Sequence, residues 1–154
     1  MRMVRVCAAM VMFAISFLVQ AADVSKKFTP SPGVVAVIEI KGSSLTWKLS
    51  GKNGARQGEV SLDTEKTSNI EIGSYDFSGR LGFLVSHIDD GMGVYEVSRV
   101  FTFSPSSSEF IERFPSCGDE FDNLKVDKKR RYLTSTYWDQ NTPKRCVTRL
   151  TIEK

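Results

Sequence analysis

The sequence predicts an all-β fold, a single domain of about nine or ten short antiparallel strands. Apolar and polar residues alternate in short stretches, and turn-forming residues recur about every 8 to 12 positions. No segment keeps the apolar period of a helix. This pattern is typical of a propeller-like, a sandwich or a barrel architecture, and periodicity does not choose among them.

The first 21 residues predict export. Arg2 and Arg5 supply positive charge, residues 7–19 form an apolar run, and the stretch ends in Ala21, a small residue of the kind that a signal peptidase recognises. The apolar run is too short to span a membrane comfortably. We expect cleavage after Ala21, with Ala22 as the alternative. The product is a periplasmic protein of about 133 residues with no membrane partner.

The exported part carries almost no net charge. The chain has 21 basic and 18 acidic residues, and the loss of Arg2 and Arg5 leaves 19 against 18, a net charge of about +1. No nucleic-acid partner is predicted, because binding to a phosphate backbone needs a concentrated positive face. The one basic cluster, residues 128–131, is interpreted as a solvated turn.

Two cysteines remain after cleavage, Cys117 and Cys146. In an oxidising compartment such a pair predicts a disulfide. The bond would close a loop of 30 residues, for which the chain-entropy model gives about 3.5 kcal/mol of stabilisation. A metal site is the weaker interpretation, because His87 is the only histidine, and no metal or cofactor is predicted.

Residues 22–33 contain two lysines and two prolines and predict a flexible leader, so that the domain proper comprises residues 34–154. The strands of that domain are predicted from apolar runs or apolar–polar alternation between turn residues. In chain order they are 34–40, 45–49, 59–62, 69–72, 83–88, 94–103, 109–114, 124–126, 132–138 and 145–152.

An enzyme is not predicted. The chain has no Gly-x-Ser-x-Gly elbow, no His-Glu-x-x-His motif and no phosphate-cradling glycine loop. His87 ends an apolar strand, where a structural histidine is more common than a catalytic one. The pairs Asp89–Asp90 and Asp119–Glu120 are sequence neighbours, and neighbours on a strand point to opposite faces, so both pairs are interpreted as turn formers.

Residues 74–82 have the spacing of an aspartate-rich calcium loop, but only one of the ligand positions is a carboxylate. The positions are occupied by Ser74, Asp76, Ser78 and Gly82. Calcium takes six to eight oxygen ligands, usually with several negative charges. The segment is therefore interpreted as a hairpin turn that keeps the shape of such a loop without the metal.

Four segments together resemble a known family. They are residues 70–85, residues 93–105 with Phe110, residues 123–129 and residues 134–137. In this order they look like the small periplasmic proteins with a propeller-like β fold. That group includes lysozyme inhibitors and immunity proteins against peptidoglycan-degrading effectors of bacterial secretion systems. The resemblance covers residues 54–149, and the calcium loop found in many members is incomplete here.

The resemblance implies that this chain binds a secreted cell-wall hydrolase and blocks its groove with one or two loops. One candidate contact is the serine segment, Ser106, Ser107 and Ser108, whose hydroxyls both donate and accept hydrogen bonds. This segment is slightly favoured over the other, which offers Asp89, Asp90, Met92 and Tyr95. The alternative function is a non-enzymatic periplasmic binding or envelope-structural module.

Overall fold

A computed structural model describes residues 23–52 and 54–154. The predicted export segment, residues 1–21, lies outside the described residues. The described part is all-β, as expected, with eleven antiparallel strands in two sheets. They are β1 (Val24–Ser31), β2 (Val34–Lys41), β3 (Ser44–Gly51), β4 (Gly54–Ser61), β5 (Asn69–Gly73), β6 (Gly82–Ile88), β7 (Glu96–Ser104), β8 (Glu109–Arg113), β9 (Phe121–Asp127), β10 (Tyr132–Asp139) and β11 (Thr142–Thr148).

Sheet A is a four-stranded meander in the order β1-β2-β3-β4. Its first strand lies in the segment that the sequence predicts as a flexible leader, and this expectation is corrected by the structure. Phe28 packs against Phe110 with ring centroids 5.9 Å apart, and Pro30 is fully buried. Because β1 is an edge strand with an irregular register between Phe28 and Ser31, Pro30 costs no ladder hydrogen bond.

Sheet B has seven strands in the order β11-β10-β9-β7-β6-β5, with β8 also paired to β7, and it curls into half a barrel. The edge of β7 that faces away from β6 is divided between two partners. Val97 and Ser98 pair with β9, whereas residues 100–104 pair with β8. β8 and β9 therefore diverge at the middle of β7.

The main core lies between the two sheets, which makes the architecture a sandwich. Ala36, Ile38 and Leu45 of sheet A are fully buried against sheet B. Phe83 and Phe101 stack with centroids 4.6 Å apart. Fully burying one such side chain contributes about 1.5–3 kcal/mol. A compact aromatic layer thus holds the two sheets together.

A second core lies on the face of sheet B that points away from sheet A. The alternate residues of β6 and β7, Leu84 and Val100, meet Phe121 and Leu133 there. Sheet B is therefore buried on both faces near β6 and β7. The predicted disulfide is present between Cys117 and Cys146, whose Cα atoms are 5.8 Å apart, and it ties the segment before β9 to β11.

Candidate functional site: a loop and an acidic groove

The β6–β7 loop (residues 89–95) is fixed by its first residue. Asp89 is 5% exposed, and its carboxylate accepts hydrogen bonds from the backbone N–H groups of Gly93 (3.1 Å), Val94 (2.7 Å) and Tyr95 (3.1 Å). These bonds, that from Tyr95 first, hold the pKa of Asp89 below its ordinary value despite burial. Asp89 is predicted as a contact residue; in the structure its carboxylate braces the loop, and the contact role stays a prediction.

The same loop presents apolar side chains to solvent. Met92 is 86% exposed and Val94 is 69% exposed. Tyr95 packs on Trp138 with ring centroids 5.1 Å apart, which joins the loop to the end of β10. Exposed apolar side chains on a braced loop are typical of a contact surface for another molecule.

A groove of about 660 Å³ opens beside this loop, where β8 and β9 diverge from β7. Its floor is formed by Val97, Ser98 and Phe121, and Phe114, which is 65% exposed, stands at its rim. Six carboxylates line it, against the guanidinium groups of Arg99 and Arg113. We call it the acidic groove, and its carboxylates belong to Asp63, Asp89, Asp90, Glu112, Asp119 and Glu120.

Both guanidinium groups of the acidic groove already have partners. Arg99 makes a two-pronged ion pair with Glu112, with Nε to Oε1 at 2.6 Å and Nη2 to Oε2 at 2.8 Å. Arg113 donates to Glu153 at 3.0 Å. Among the described residues no cation lies within ion-pair distance of Asp119 or Glu120. The groove therefore has negative charge available for a partner.

The negative charge of the groove also acts on the carboxylate of Asp122, which lies outside the groove. Asp122 lines a smaller hollow with Tyr137 and Trp138, next to Glu120. Burial, followed by repulsion from Glu120 and Asp89, raises the pKa of Asp122 to about 6. The loop and the groove thus share one electrostatic environment.

The serine segment lies at the other end of β7. Residues 105–108 connect β7 to β8, whereas residues 89–95 precede β7, and a nine-residue strand separates the two loops by roughly 26 Å. Ser106 is exposed but its hydroxyl is 3.1 Å from that of Ser104, and Ser107 and Ser108 are half-buried. The two candidate loops therefore cannot enter one cleft side by side.

The start of the β6–β7 loop is stabilised by contacts of Asp90 with His87 and Thr64. His87 Nε2 lies 3.9 Å from Asp90 Oδ2, and Thr64 donates to Asp90 Oδ1 at 3.0 Å. Through Thr64 the β6–β7 loop contacts the segment that joins β4 of sheet A to β5 of sheet B.

The calcium-like segment has an internal cation partner. Asp76 is buried, and its Oδ1 accepts from the backbone and the hydroxyl of Ser78. Its Oδ2 faces Arg80 Nη2 at 3.9 Å. Arg80 also donates to the backbone carbonyl of Glu153. The single carboxylate of the loop is thus paired with an arginine of the same segment.

Sequence reasoning did not find the acidic groove. Asp119 and Glu120 were interpreted as turn formers, and Glu112 and Phe114 were not singled out. Glu112 lies in β8, and the other three lie in the segment between β8 and β9. They face the residues of the β6–β7 loop across the groove because β7 pairs with both β8 and β9. The only local signal was the pair of adjacent carboxylates at 119 and 120.

Searches against protein-family models, curated proteins and solved structures find no match for this chain. Within residues 23–52 and 54–154, no group of three histidine, cysteine or acidic side chains is arranged to hold a metal ion. No helix in that part of the chain is long and apolar enough to cross a membrane.

Proposed function

We propose that this chain is an exported inhibitor or immunity protein. In this proposal it blocks a peptidoglycan-degrading enzyme with the β6–β7 loop and the acidic groove. The observation that carries the proposal is a braced loop with exposed Met92 and Val94 beside a groove in which two carboxylates have no ion-pair partner among the described residues. These are the carboxylates of Asp119 and Glu120. The resemblance to periplasmic inhibitors and the predicted export segment support it.

The charge of the groove suits such a target. Peptidoglycan carries carboxylates on its peptide stems, so a cleft that binds it favours positive charge. Asp119 and Glu120 offer the same sign of charge as the substrate, which favours the right partner and speeds encounter. Apolar contact from Met92 and Val94 then adds the buried area that holds a complex together.

A rigid scaffold strengthens this mode of binding. The disulfide holds the segment that carries Asp119 and Glu120, and the carboxylate of Asp89 holds the loop. Because both parts are already ordered, little conformational entropy is lost on association. The site is thus built as a preformed contact surface.

The test is an inhibition assay with the processed protein against purified peptidoglycan amidases and lysozymes. We expect one enzyme to lose activity at equimolar protein. The double variant Asp119→Asn/Glu120→Gln should weaken inhibition at least ~10-fold, while Glu71→Gln/Glu109→Gln, an equal charge change at exposed positions outside the groove, should not. If no hydrolase is inhibited, the alternative of a periplasmic binding or envelope-structural module becomes the better account.

A further inference from the structure

Three arginines surround one tyrosine on the face of β10 and β11. Arg130 Nη1 donates to the hydroxyl of Tyr132 at 3.1 Å, and Arg145 Nη2 donates to the same oxygen at 3.4 Å. The guanidinium of Arg149 lies over the ring, 5.3 Å from its centroid. Three positive charges therefore converge on a single buried side chain.

Within the described part of the chain, these guanidinium groups have no acidic partner. Among the described residues, no carboxylate oxygen lies within 4.0 Å of the side-chain nitrogens of Arg130, Arg145 or Arg149. Asp127 is the nearby acid, and its carboxylate accepts from the backbone N–H of Arg130. Like charges held together without a counter-charge repel each other, so the cluster favours an anion.

The strand register extends the positive face. Lys125 pairs with Thr134, and Thr136 pairs with Arg145, so these four side chains share one face of sheet B. With Asn123 and Lys144 they line an open hollow of about 720 Å³. Lys144 is paired with Asp139, whereas Lys125 and Arg145 are not in ion pairs among the described residues. Hydroxyl and amide groups beside the cations add neutral hydrogen-bond donors.

The donor set fits phosphate better than a simple carboxylate. Arginine presents planar pairs of N–H groups that match two oxygens of a phosphate, and threonine hydroxyls add further donors. A phosphate group has more oxygens than a carboxylate to occupy them. The turn that carries Lys128 and Lys129 adds positive charge next to Arg130. The chain thus has a basic face that its net charge does not reveal.

We propose that this basic surface, formed by Lys125, Arg130, Tyr132, Arg145 and Arg149, binds phosphate groups. The ligand is either a soluble phosphorylated molecule or the headgroups of an anionic lipid surface. The proposal is independent of the acidic groove, which lies beside β7 and the β6–β7 loop and shares none of these residues. In this proposal residues 128–131 are a solvated turn that also contributes Arg130 to the binding surface.

Two binding measurements test the proposal on protein purified from cells that express the full chain. Calorimetry measures inorganic pyrophosphate, and sedimentation measures vesicles of phosphatidylcholine with and without phosphatidylglycerol. The variant Arg145→Gln/Arg149→Gln should weaken binding at least ~10-fold, as expected for the loss of charge-assisted hydrogen bonds. The matched control is Lys27→Gln/Lys48→Gln, which makes the same charge change on the outer face of sheet A.

The binding results distinguish a soluble ligand, a lipid surface and the absence of a site. Pyrophosphate binding that the arginine variant loses and the lysine control keeps supports a soluble ligand, and the same result with phosphatidylglycerol vesicles alone supports a lipid surface. If the arginine variant and the lysine control lose binding equally, the net charge of the protein determines binding, and the proposal of a specific site is overturned. Absence of binding to both probes would also overturn it. If the arginine variant melts at a lower temperature, Lys125→Gln, which does not contact Tyr132, replaces it.

Discussion

Asp89 and Asp122 are two carboxylates of the same end of the molecule with opposite environments. Backbone N–H groups surround Asp89 and lower its pKa, whereas burial and negative neighbours raise the pKa of Asp122 to about 6. Relative to the unfolded chain, the folded protein therefore favours the charged form of Asp89 and the neutral form of Asp122. The two residues give different signs to the dependence of stability on pH.

Asp122 should make the protein less stable as the pH rises through 6. Its folded pKa lies above the ordinary value of 3.8, so the folded state binds the proton more tightly between about pH 4 and pH 6. Above pH 6 the Asp122 carboxyl group is ionised, and the full free-energy cost of ionising it in the folded protein is present. Solvent screening reduces it from ~3 kcal/mol to about 1 kcal/mol. Asp122→Asn should raise the free energy of unfolding at pH 7 by that amount, measured by urea denaturation.

The comparison of pH profiles isolates the contribution of Asp122. The natural protein should lose about 1 kcal/mol more than Asp122→Asn between pH 4 and pH 7. Glu65→Gln, which removes an exposed acid, serves as the control and should keep the natural profile. Parallel profiles for the natural protein and Asp122→Asn would contradict the assignment.

Asp89→Ala should release the β6–β7 loop. The change removes the acceptor for the N–H groups of Gly93, Val94 and Tyr95. Amide hydrogen exchange at these three residues should accelerate at neutral pH, while exchange in β10 stays slow. Because the pKa of Asp89 is lowered, the natural loop should stay protected until the pH falls below about 4, and then open. Unchanged protection in the variant would show that packing alone orders the loop.

β7 is the element that organises the molecule. It pairs with β6 on one edge and with both β8 and β9 on the other, and its alternate side chains enter both cores. The backbone of β6 approaches it closely at Gly82, where a Cβ atom would overlap the carbonyl oxygen of Phe101. Close packing of these two strands thus depends on a residue without a side chain.

Gly82→Ala should therefore destabilise the protein. The added methyl group has to push apart two paired strands between the cores, and overpacking of this kind costs about 1–3 kcal/mol. Gly91→Ala is the matched control, because the only atom near its Cβ would be an oxygen of the Asp89 carboxylate at 3.3 Å, whereas a Cβ at Gly82 would overlap a backbone oxygen. The measurement is the free energy of unfolding in urea. Equal values for the two variants would contradict a tight approach at Gly82.

The elements that could be predicted from the sequence are those whose own pattern determines them. β6 and β10 are apolar runs or alternations between clear turn residues, and their predicted bounds, 83–88 and 132–138, differ from the structure by at most one residue at either end. β1 could not be predicted, because Lys26 and Pro30 stand where a strand pattern would have ordinary apolar residues facing the core. Its order comes from pairing with β2 and from the contact of Phe28 with Phe110, which is more than 80 residues away.

At the scale of the whole molecule, opposite charges are separated onto different surfaces. The acidic groove and the basic surface around Tyr132 almost cancel in the predicted net charge of the exported chain. Composition alone therefore predicts a neutral protein without a charged binding face. The family resemblance implies a contact role for the polar residues of the β6–β7 loop, but the groove depends on strand pairing that a single sequence does not reveal.

The disulfide connects the end of the molecule that carries the acidic groove to the rest of the scaffold. Cys117 lies next to the groove wall at Asp119 and Glu120, and Cys146 lies in β11. The double variant Cys117→Ser/Cys146→Ser should lower the free energy of unfolding by about 2–4 kcal/mol. It should also accelerate amide exchange at residues 118–120. A variant with natural stability would show that the bond does not constrain this region.

In the function proposed here, the β6–β7 loop and the acidic groove form the face that binds a cell-wall hydrolase. The most direct measurement is amide hydrogen exchange of the protein alone and in complex with the hydrolase that it inhibits. We expect new protection at residues 89–95 and 118–122 and none in the serine segment, residues 105–108. Protection confined to residues 105–108, with the groove exchanging at its free rate, would contradict the account.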